Sequence, residues 1–312
     1  MSRSCAIPAL GTAACIAAVG GLRVLSAQSA TLHPVADTTL FETDPNNNLG
    51  ATPNFVSGTT AGSAGEPFRS RAVMKFDVAS EMPPGATVIS AALTLTVVKI
   101  PGVPANSTFE LHRLLEPWGE GNKNNSSGIQ ATTGEATWIS RFFLLPQWAT
   151  PGGAPGTDFS TNVSASTFVQ GLGSYTFAST SNLTADVQFW LANASANFGW
   201  ILMTQDEATS STARRFASRE APTGGPVLVV EYLLPPVMAD MARQDSTVAF
   251  HFNVEAGFDY AVEYAETLPA TSWLVLTNFG AKAAGFEATV TNSIEVVPSR
   301  FYRLSRVPCN CR

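Results

Sequence analysis

Thr87-Val88-Ile89-Ser90-Ala91-Ala92-Leu93-Thr94-Leu95-Thr96-Val97-Val98 decides the fold class. Ile89, Ala91, Leu93, Leu95 and Val97 fall on one side of an extended chain, and Ser90, Ala92, Thr94 and Thr96 fall on the other. That period of two is the pattern of an antiparallel strand with one face on a core and one face toward water. Working outward, short β-favouring runs recur at 55–57, 72–78, 109–114, 175–178, 200–204, 215–218 and 227–233. Clusters of Gly, Pro, Asn and Ser separate them. One segment breaks the rhythm: Leu183, Val187, Trp190 and Leu191 have helical spacing, and Thr184 is placed to cap a short helix over about 185–193. The expectation is an all-β protein, an antiparallel jelly-roll-like β-sandwich with one short helix.

Pro235-Pro236 cannot continue a sheet, so the sandwich should span 31–234. A second, smaller β-sandwich-like unit follows at 237–307, with strands at 247–254, 260–264, 273–277, 288–291 and 301–304, and then a tail at 308–312. Met1-Ser2-Arg3, an apolar Ala/Gly-rich stretch from Cys5 to Leu22 and the small residues of Ala27-Gln28-Ser29-Ala30 have the order of a secretory signal, assigned to 1–30. Pro8, the glycines and Arg23 make it a poor membrane anchor, so the expected location is outside the cell, with no stable membrane insertion after cleavage. Cys5 and Cys15 would leave with the signal. Cys309 and Cys311 remain, too close together to bridge without strain. Only 13% of residues are charged and the net charge is −6, which argues against nucleic acid as a partner.

Several patches carry a resemblance in their order and spacing: Ala36-Asp37-Thr38-Thr39-Leu40, the turn Pro45-Asn46-Asn47-Asn48-Leu49-Gly50, Arg71 to Val78, Trp118-Gly119-Glu120 with Thr137-Trp138, Val187-Gln188-Phe189-Trp190, Phe216-Ala217-Ser218-Arg219-Glu220 and Pro226 to Tyr232. The set resembles the DNRLRE-type domain, also classed as carbohydrate-binding module family 96, a β-sandwich of extracellular bacterial and archaeal proteins. The resemblance covers roughly 200 residues and implies polysaccharide binding. Tyr260 to Leu268, Trp273-Leu274-Val275-Leu276 and Arg300-Phe301-Tyr302-Arg303-Leu304 resemble a small C-terminal β-module of secreted verrucomicrobia-like proteins.

Catalysis has little support, because His33, His112 and His251 are widely separated and no nucleophile elbow, zinc motif or phosphate loop is present. A glycosidase needs only two facing carboxylates, and Glu116, Glu120, Glu135, Asp158 and Asp206 are available. No cofactor is implied beyond calcium. Asp44, Asn46 and Asn48 space oxygen ligands like the start of a calcium loop, but Leu49 and Phe55 break the pattern, and a plain Asn-rich turn explains it equally well.

Sugars stack apolar ring faces on aromatic side chains and accept hydrogen bonds from Arg and amides. Trp118, Trp138 and Trp148 lie in or beside two long polar loops, 119–135 and 146–157, and read either as exposed platforms or as loop anchors. Trp190 and Trp200 belong to apolar faces and read as core. Arg69, Arg71, Lys75, Arg113, Arg214, Arg215 and Arg219 supply much of the positive charge, with Glu220 closing the Ser218-Arg219-Glu220 signature. Arg71 with Lys75, and Arg215 with Arg219, have even spacings, so two neighbouring strands could gather them into a stripe. The resulting expectation is a secreted, non-catalytic protein whose partner is an acidic polysaccharide. A lyase or hydrolase working in a loop-lined cleft is one alternative, and a structural surface or matrix protein is the other. An exposed face of aromatics and arginines favours binding, clustered carboxylates in a groove favour the enzyme, and sealed aromatics favour the structural reading.

Overall fold

The structure, a computed structural model, describes residues 27–62, 67–294 and 299–308. It is mostly antiparallel β, with 47% strand and 7% helix. The chain divides into two compact units, one ending at Pro235 and the other beginning at Pro236. In the first, the elements run β1 (Gln28–Leu32), β2 (Pro34–Phe41), β3 (Asn47–Asn48), β4 (Asn54–Thr59), β5 (Arg69–Phe76), α1 (Val78–Glu81), β6 (Thr87–Lys99), β7 (Ser107–Leu114), β8 (Ile129–Gln130), β9 (Phe159–Val169), β10 (Gly173–Phe177), α2 (Ser181–Ala192), β11 (Trp200–Thr204), β12 (Arg214–Ala217) and β13 (Val227–Leu233). Eleven of these strands form one curled sheet of order β1-β13-β6-β12-β4-β5-β11-β7-β9, with β10 added beside β6 and β2 beside β5.

β4 turns the corner of that sheet. Asn54 to Ser57 pair with β12, whereas Gly58 and Thr59 pair with β5. Gly58 makes the turn with φ +108°, and a Cβ there would lie 2.7 Å from the Thr212 carbonyl oxygen. Only glycine combines that dihedral with so close an approach. Curling brings β6, β12 and β13 opposite β5, β7 and β11, and the space between fills with Phe55, Met74, Phe76, Leu93, Leu95, Phe109, Trp200, Phe216 and Leu228. The alternation in β6 reaches the same result residue by residue: Ala91, Leu93, Leu95 and Val97 are buried, and Ser90, Thr94 and Thr96 are only partly covered. Ile89 departs from the pattern and is 42% exposed; the paired strand shifts register between Glu231 and Tyr232, beside that residue.

α2 closes one end of this core with Leu183, Val187, Trp190 and Leu191 buried, and the Trp190 and Trp200 rings meet edge to face at 4.5 Å. The helix begins four residues earlier than its spacing predicted, because Thr180, not Thr184, accepts the Leu183 N–H as cap. Asn182-Leu183-Thr184 therefore form its first turn. β9 was not legible as a strand: Phe-Ser-Thr-Asn-Val-Ser-Ala-Ser-Thr-Phe-Val is mostly polar, and its pairing with β7 is interrupted by irregularities at His112.

The second unit contains β14 (Ala239–Gln244), β15 (Thr247–Val254), β16 (Phe258–Ala265), β17 (Leu274–Phe279), β18 (Phe286–Ser293) and β19 (Phe301–Pro308). They form two three-stranded sheets, β14-β15-β18 and β17-β16-β19, around Phe250, Phe252, Tyr260, Val262 and Val290. β14 is exposed at every position and carries no alternation to read.

The expected signal at 1–30 overlaps the first strand. Residues 1–26 lie outside the described residues, as do Cys309 and Cys311. Gln28, Ser29 and Ala30, however, belong to β1, opposite Tyr232, Glu231 and Val230 of β13. Ala30 also packs against the core. Among the described residues the first strand thus begins at Gln28, three residues before the expected start at 31. A chain beginning at Thr31 should be less stable than one beginning at Gln28 by about 2 kcal/mol, since a few net hydrogen bonds are lost. Thermal unfolding of the two should differ by roughly 4–8 °C; equal midpoints would show that the first half of β1 contributes nothing.

Candidate functional site

β5 and β11 are buried on both faces, and this determines what the loop tryptophans do. Ala72, Met74, Trp200 and Leu202 point into the main core, while Val73, Ile201 and Met203 point the other way. The loop region between β7 and β9 folds over that outer face, and Trp138 and Trp148 join Leu40, Leu114 and Phe159 in a second core beneath it. Trp138 is 3% exposed and Trp148 4%. The Trp148 Nε1–H donates to the Thr137 carbonyl at 2.9 Å, and Trp118, half-buried against the same cluster, donates to the Phe198 carbonyl at 2.8 Å. The Trp138 and Trp148 rings offer no open stacking face, and Trp118 is tethered through its Nε1–H while only half-buried.

The expected arginine stripe does not form either. β4 lies between β5 and β12, so Arg71 and Arg215 are on strands that do not adjoin. Arg219 lies beyond the end of β12, which stops at Ala217. Arg71 is buried over the Trp138 ring, bidentate to Glu207 at 2.8 and 2.6 Å, and it also donates to the Gly152 and Gly153 carbonyls at 2.9 and 3.0 Å. It clips the covering loop to the sheet. Arg69 is held by Glu42, and Lys75 shares the outward face of β5. Of the proposed calcium ligands, Asn48 is committed otherwise. Asn48 is fully buried, its Nδ2 donates to the Glu120 and Ala136 carbonyls, and its Oδ1 accepts from Gly50 N and Lys123 N. It has no oxygen to present alongside Asp44 and exposed Asn46.

Most of the loop carboxylates hold backbone in place. Glu135 accepts from Asn122 N and Thr132 N, Asp158 from Ala149 N and Ala154 N, and Asp206 from Ala208 N and the Thr209 hydroxyl; Glu116 pairs with Arg141. Glu120 is different. It meets Asp37 of β2 and the Arg219-Glu220 turn, so three separate sequence landmarks converge at one place. Arg219 donates to both Glu120 oxygens at 2.5 and 2.9 Å and lies 2.9 Å from Glu220. Asp37 N donates to Glu120 at 2.8 Å, and the Asp37 carboxylate accepts from Arg219 N at 2.8 Å. One carboxylate oxygen from each of Asp37, Glu120 and Glu220 lies within 4.8 Å of the others, a spacing that could hold a cation. Burial pushes the Asp37 carboxyl up to about 8, and the nearby Glu220 and Glu120 charges reinforce that, against the Arg219 N–H. Burial also raises Glu220.

Positive charge gathers elsewhere, where β6 ends against β12. Lys99 and Arg215 are directly opposite in register, a destabilising arrangement for like charges unless an anion lies between them. They line a cavity of about 200 Å³ with Phe41, Val56, Ile100, Pro101 and Arg214. Arg214 is completely buried, and its guanidinium donates only to carbonyls: those of Gln170, Ala105, Ser211, Thr212 and Ala213, at 2.8–3.3 Å. Burial lowers its pKa, but an arginine starts high enough to stay charged. Arg215 bonds to the Asn54 amide oxygen. Among the described residues, none of the three cations pairs with a carboxylate. Lys99 escaped the sequence reading because β6 offers no second cation to mark it. Arg113 sits on another side of the unit, 3.2 Å from Asp186 and over the Phe189 ring.

No family model matches this chain, and no curated protein matches it.

Asp37 gives a pH prediction. Its folded pKa lies above the unfolded value, so its stabilisation is complete below about pH 4 and is lost as pH rises through about 8. At its largest the effect is on the order of 5 kcal/mol. Asp37→Asn keeps an oxygen for Arg219 N and should flatten the decline in stability between about pH 5 and 8. Denaturant midpoints across that range check it; an unchanged slope would assign the decline to other groups, such as Glu220 and Asp186, which shift the same way.

Proposed function

We propose that this is a secreted, non-catalytic polysaccharide-binding protein, and that its first unit takes an acidic glycan at the Lys99–Arg214–Arg215 cavity. The observation that carries the reading is charge without a counter-charge. Lys99 and Arg215 face one another at a cavity that the buried Arg214 also borders, in a protein whose net charge is −6. A buried guanidinium satisfied by carbonyls has its hydrogen bonds but not its electrostatic partner. A uronate carboxylate or a sulfate ester lying between Lys99 and Arg215 supplies the missing negative charge close to all three. The apolar floor of Phe41, Val56, Ile100 and Pro101 suits the C–H face of a pyranose ring. The resemblance to DNRLRE-type domains supports the same class of ligand. Among the described residues no helix is long and apolar enough to cross a membrane.

The sealing of Trp138 and Trp148 favours the alternative, a structural surface or matrix protein, and one experiment separates the two. Affinity electrophoresis through gels containing a polyuronate should retard the protein. The retardation should weaken as salt rises, because Lys99 and Arg215 are partly in water and screened. Lys99→Ala and Arg215→Ala should each weaken retention about 2–5-fold, with most of the loss at low salt. Mobility unaffected by any acidic glycan, with the same midpoint of unfolding in its presence and absence, would leave the structural reading standing.

A further inference from the structure

The groove between α2 and the β7–β9 pair has a different charge balance from the Lys99 cavity, and nothing described so far uses it. β7 contributes Arg113, β9 contributes Ser160, Asn162 and Ser164, and α2 contributes Asn182, Asp186 and Phe189, around a cavity of about 300 Å³. We infer that this groove is a second carbohydrate site, and that it takes a neutral sugar unit.

Electrostatics sets the class of ligand. Arg113 and Asp186 lie 3.2 Å apart and offset one another, so the groove offers polarity without net charge. The Asp186 carboxylate is fixed from behind, with the Ser164 hydroxyl donating at 2.6 Å and the Trp200 Nε1–H at 2.9 Å, both to Oδ2. Its pKa is raised by burial, against those two hydrogen bonds and Arg113. Oδ1 faces Arg113, and Arg113 Nε is sealed from water without a hydrogen bond of good geometry. An anionic ligand would compete with Asp186 for Arg113, whereas a hydroxyl can accept from the guanidinium and leave the pair intact.

The remaining groups match a pyranose. Beyond its ion pair with Asp186, the Arg113 side chain makes no hydrogen bond among the described residues, so its outer N–H groups are available to donate. Asn182 spends its Nδ2 on the Val163 carbonyl, which leaves Oδ1 as an acceptor. The Asn162 side chain has no partner among the described residues and offers both a donor and an acceptor. Vicinal sugar hydroxyls need that mixture, since each donates one hydrogen bond and accepts others. Phe189 supplies the apolar element. Its ring is 38% exposed, although it lies on a helix whose other large apolar residues are buried, and the Arg113 guanidinium holds one face at 4.6 Å. An exposed phenyl ring beside amides and a fixed guanidinium is a stacking surface of the kind the tryptophans fail to provide.

This site does not rest on the acidic-glycan reading. The test uses the full chain in gels containing the neutral polysaccharides laminarin, glucomannan or hydroxyethylcellulose, at about 0.05 M and about 0.5 M salt. At least one should retard the protein equally at both, because no net charge is involved. Phe189→Ala and Asn162→Ala should each reduce that retardation about 5-fold, while polyuronate retention stays as in the parent. Lys99→Ala should do the reverse. Neither side chain supports the core, so unfolding midpoints should not move, and matched midpoints exclude misfolding as the cause. Free mobility in all three neutral gels, or retardation that both substitutions leave unchanged, would overturn the assignment.

Discussion

The first unit depends on β5 and β11 being buried on both faces. Val73, Ile201 and Met203 face away from the main core, and an apolar sheet face left in water would cost about 25 cal/mol for each Å² uncovered. The loop region after β7 provides the cover. Little of it forms regular ladders, so it must be tied down by side chains: the Trp138 and Trp148 rings below, Glu135 and Asp158 on the loop backbone, and Arg71 between sheet and loop. Arg71 is the critical tie, because its guanidinium joins β5 to Glu207 and to the Gly152 and Gly153 carbonyls at once. Gly152 exists for the same contact: a Cβ there would lie 2.6 Å from the Trp138 ring. Residues that resemble a binding surface in the sequence are, in the fold, the lid of a second core.

The corner at Gly58 has a comparable reach. By moving from β12 to β5 within six residues, β4 closes the sheet over its core. It also holds β12 against the end of β6, which sets Arg215 opposite Lys99. The basic cavity follows from this topology, since its cations come from two strands distant in sequence and paired only because the sheet curls.

That distance explains what the sequence could and could not disclose. Alternation in β6 was readable because it is a property of one strand, and the buried positions of Trp190 and Trp200 followed from local spacing. Even spacing within Arg71–Lys75 placed both on one face of β5 but said nothing about which strands lie alongside, and those neighbours are β2 and β11. A signal for the buried tryptophans was present in the continuous run Trp200-Ile201-Leu202-Met203. A strand apolar at successive positions is covered on both sides, so some other segment has to supply the second cover, and the tryptophan-bearing loops are the available material. Phe189 hid for the opposite reason: on a helix of apolar character, an exposed ring looks like one more core residue.

The convergence of Asp37, Glu120, Arg219 and Glu220 shows why net charge is a poor guide to partners here. Glu120 and Glu220 place negative charge where the first long loop, β2 and the turn after β12 meet, Arg219 offsets part of it, and burial keeps Asp37 largely protonated at neutral pH. Lys99, Arg214 and Arg215 concentrate positive charge where β6 ends. Fields from exposed groups fade over about 8 Å at physiological salt, so a ligand at one patch responds to that patch and hardly to the sum of −6. Composition describes the sum, whereas recognition depends on how the fold divides it. In this unit the division follows the curled sheet, which leaves a basic cavity, an acidic junction and a neutral groove on one scaffold.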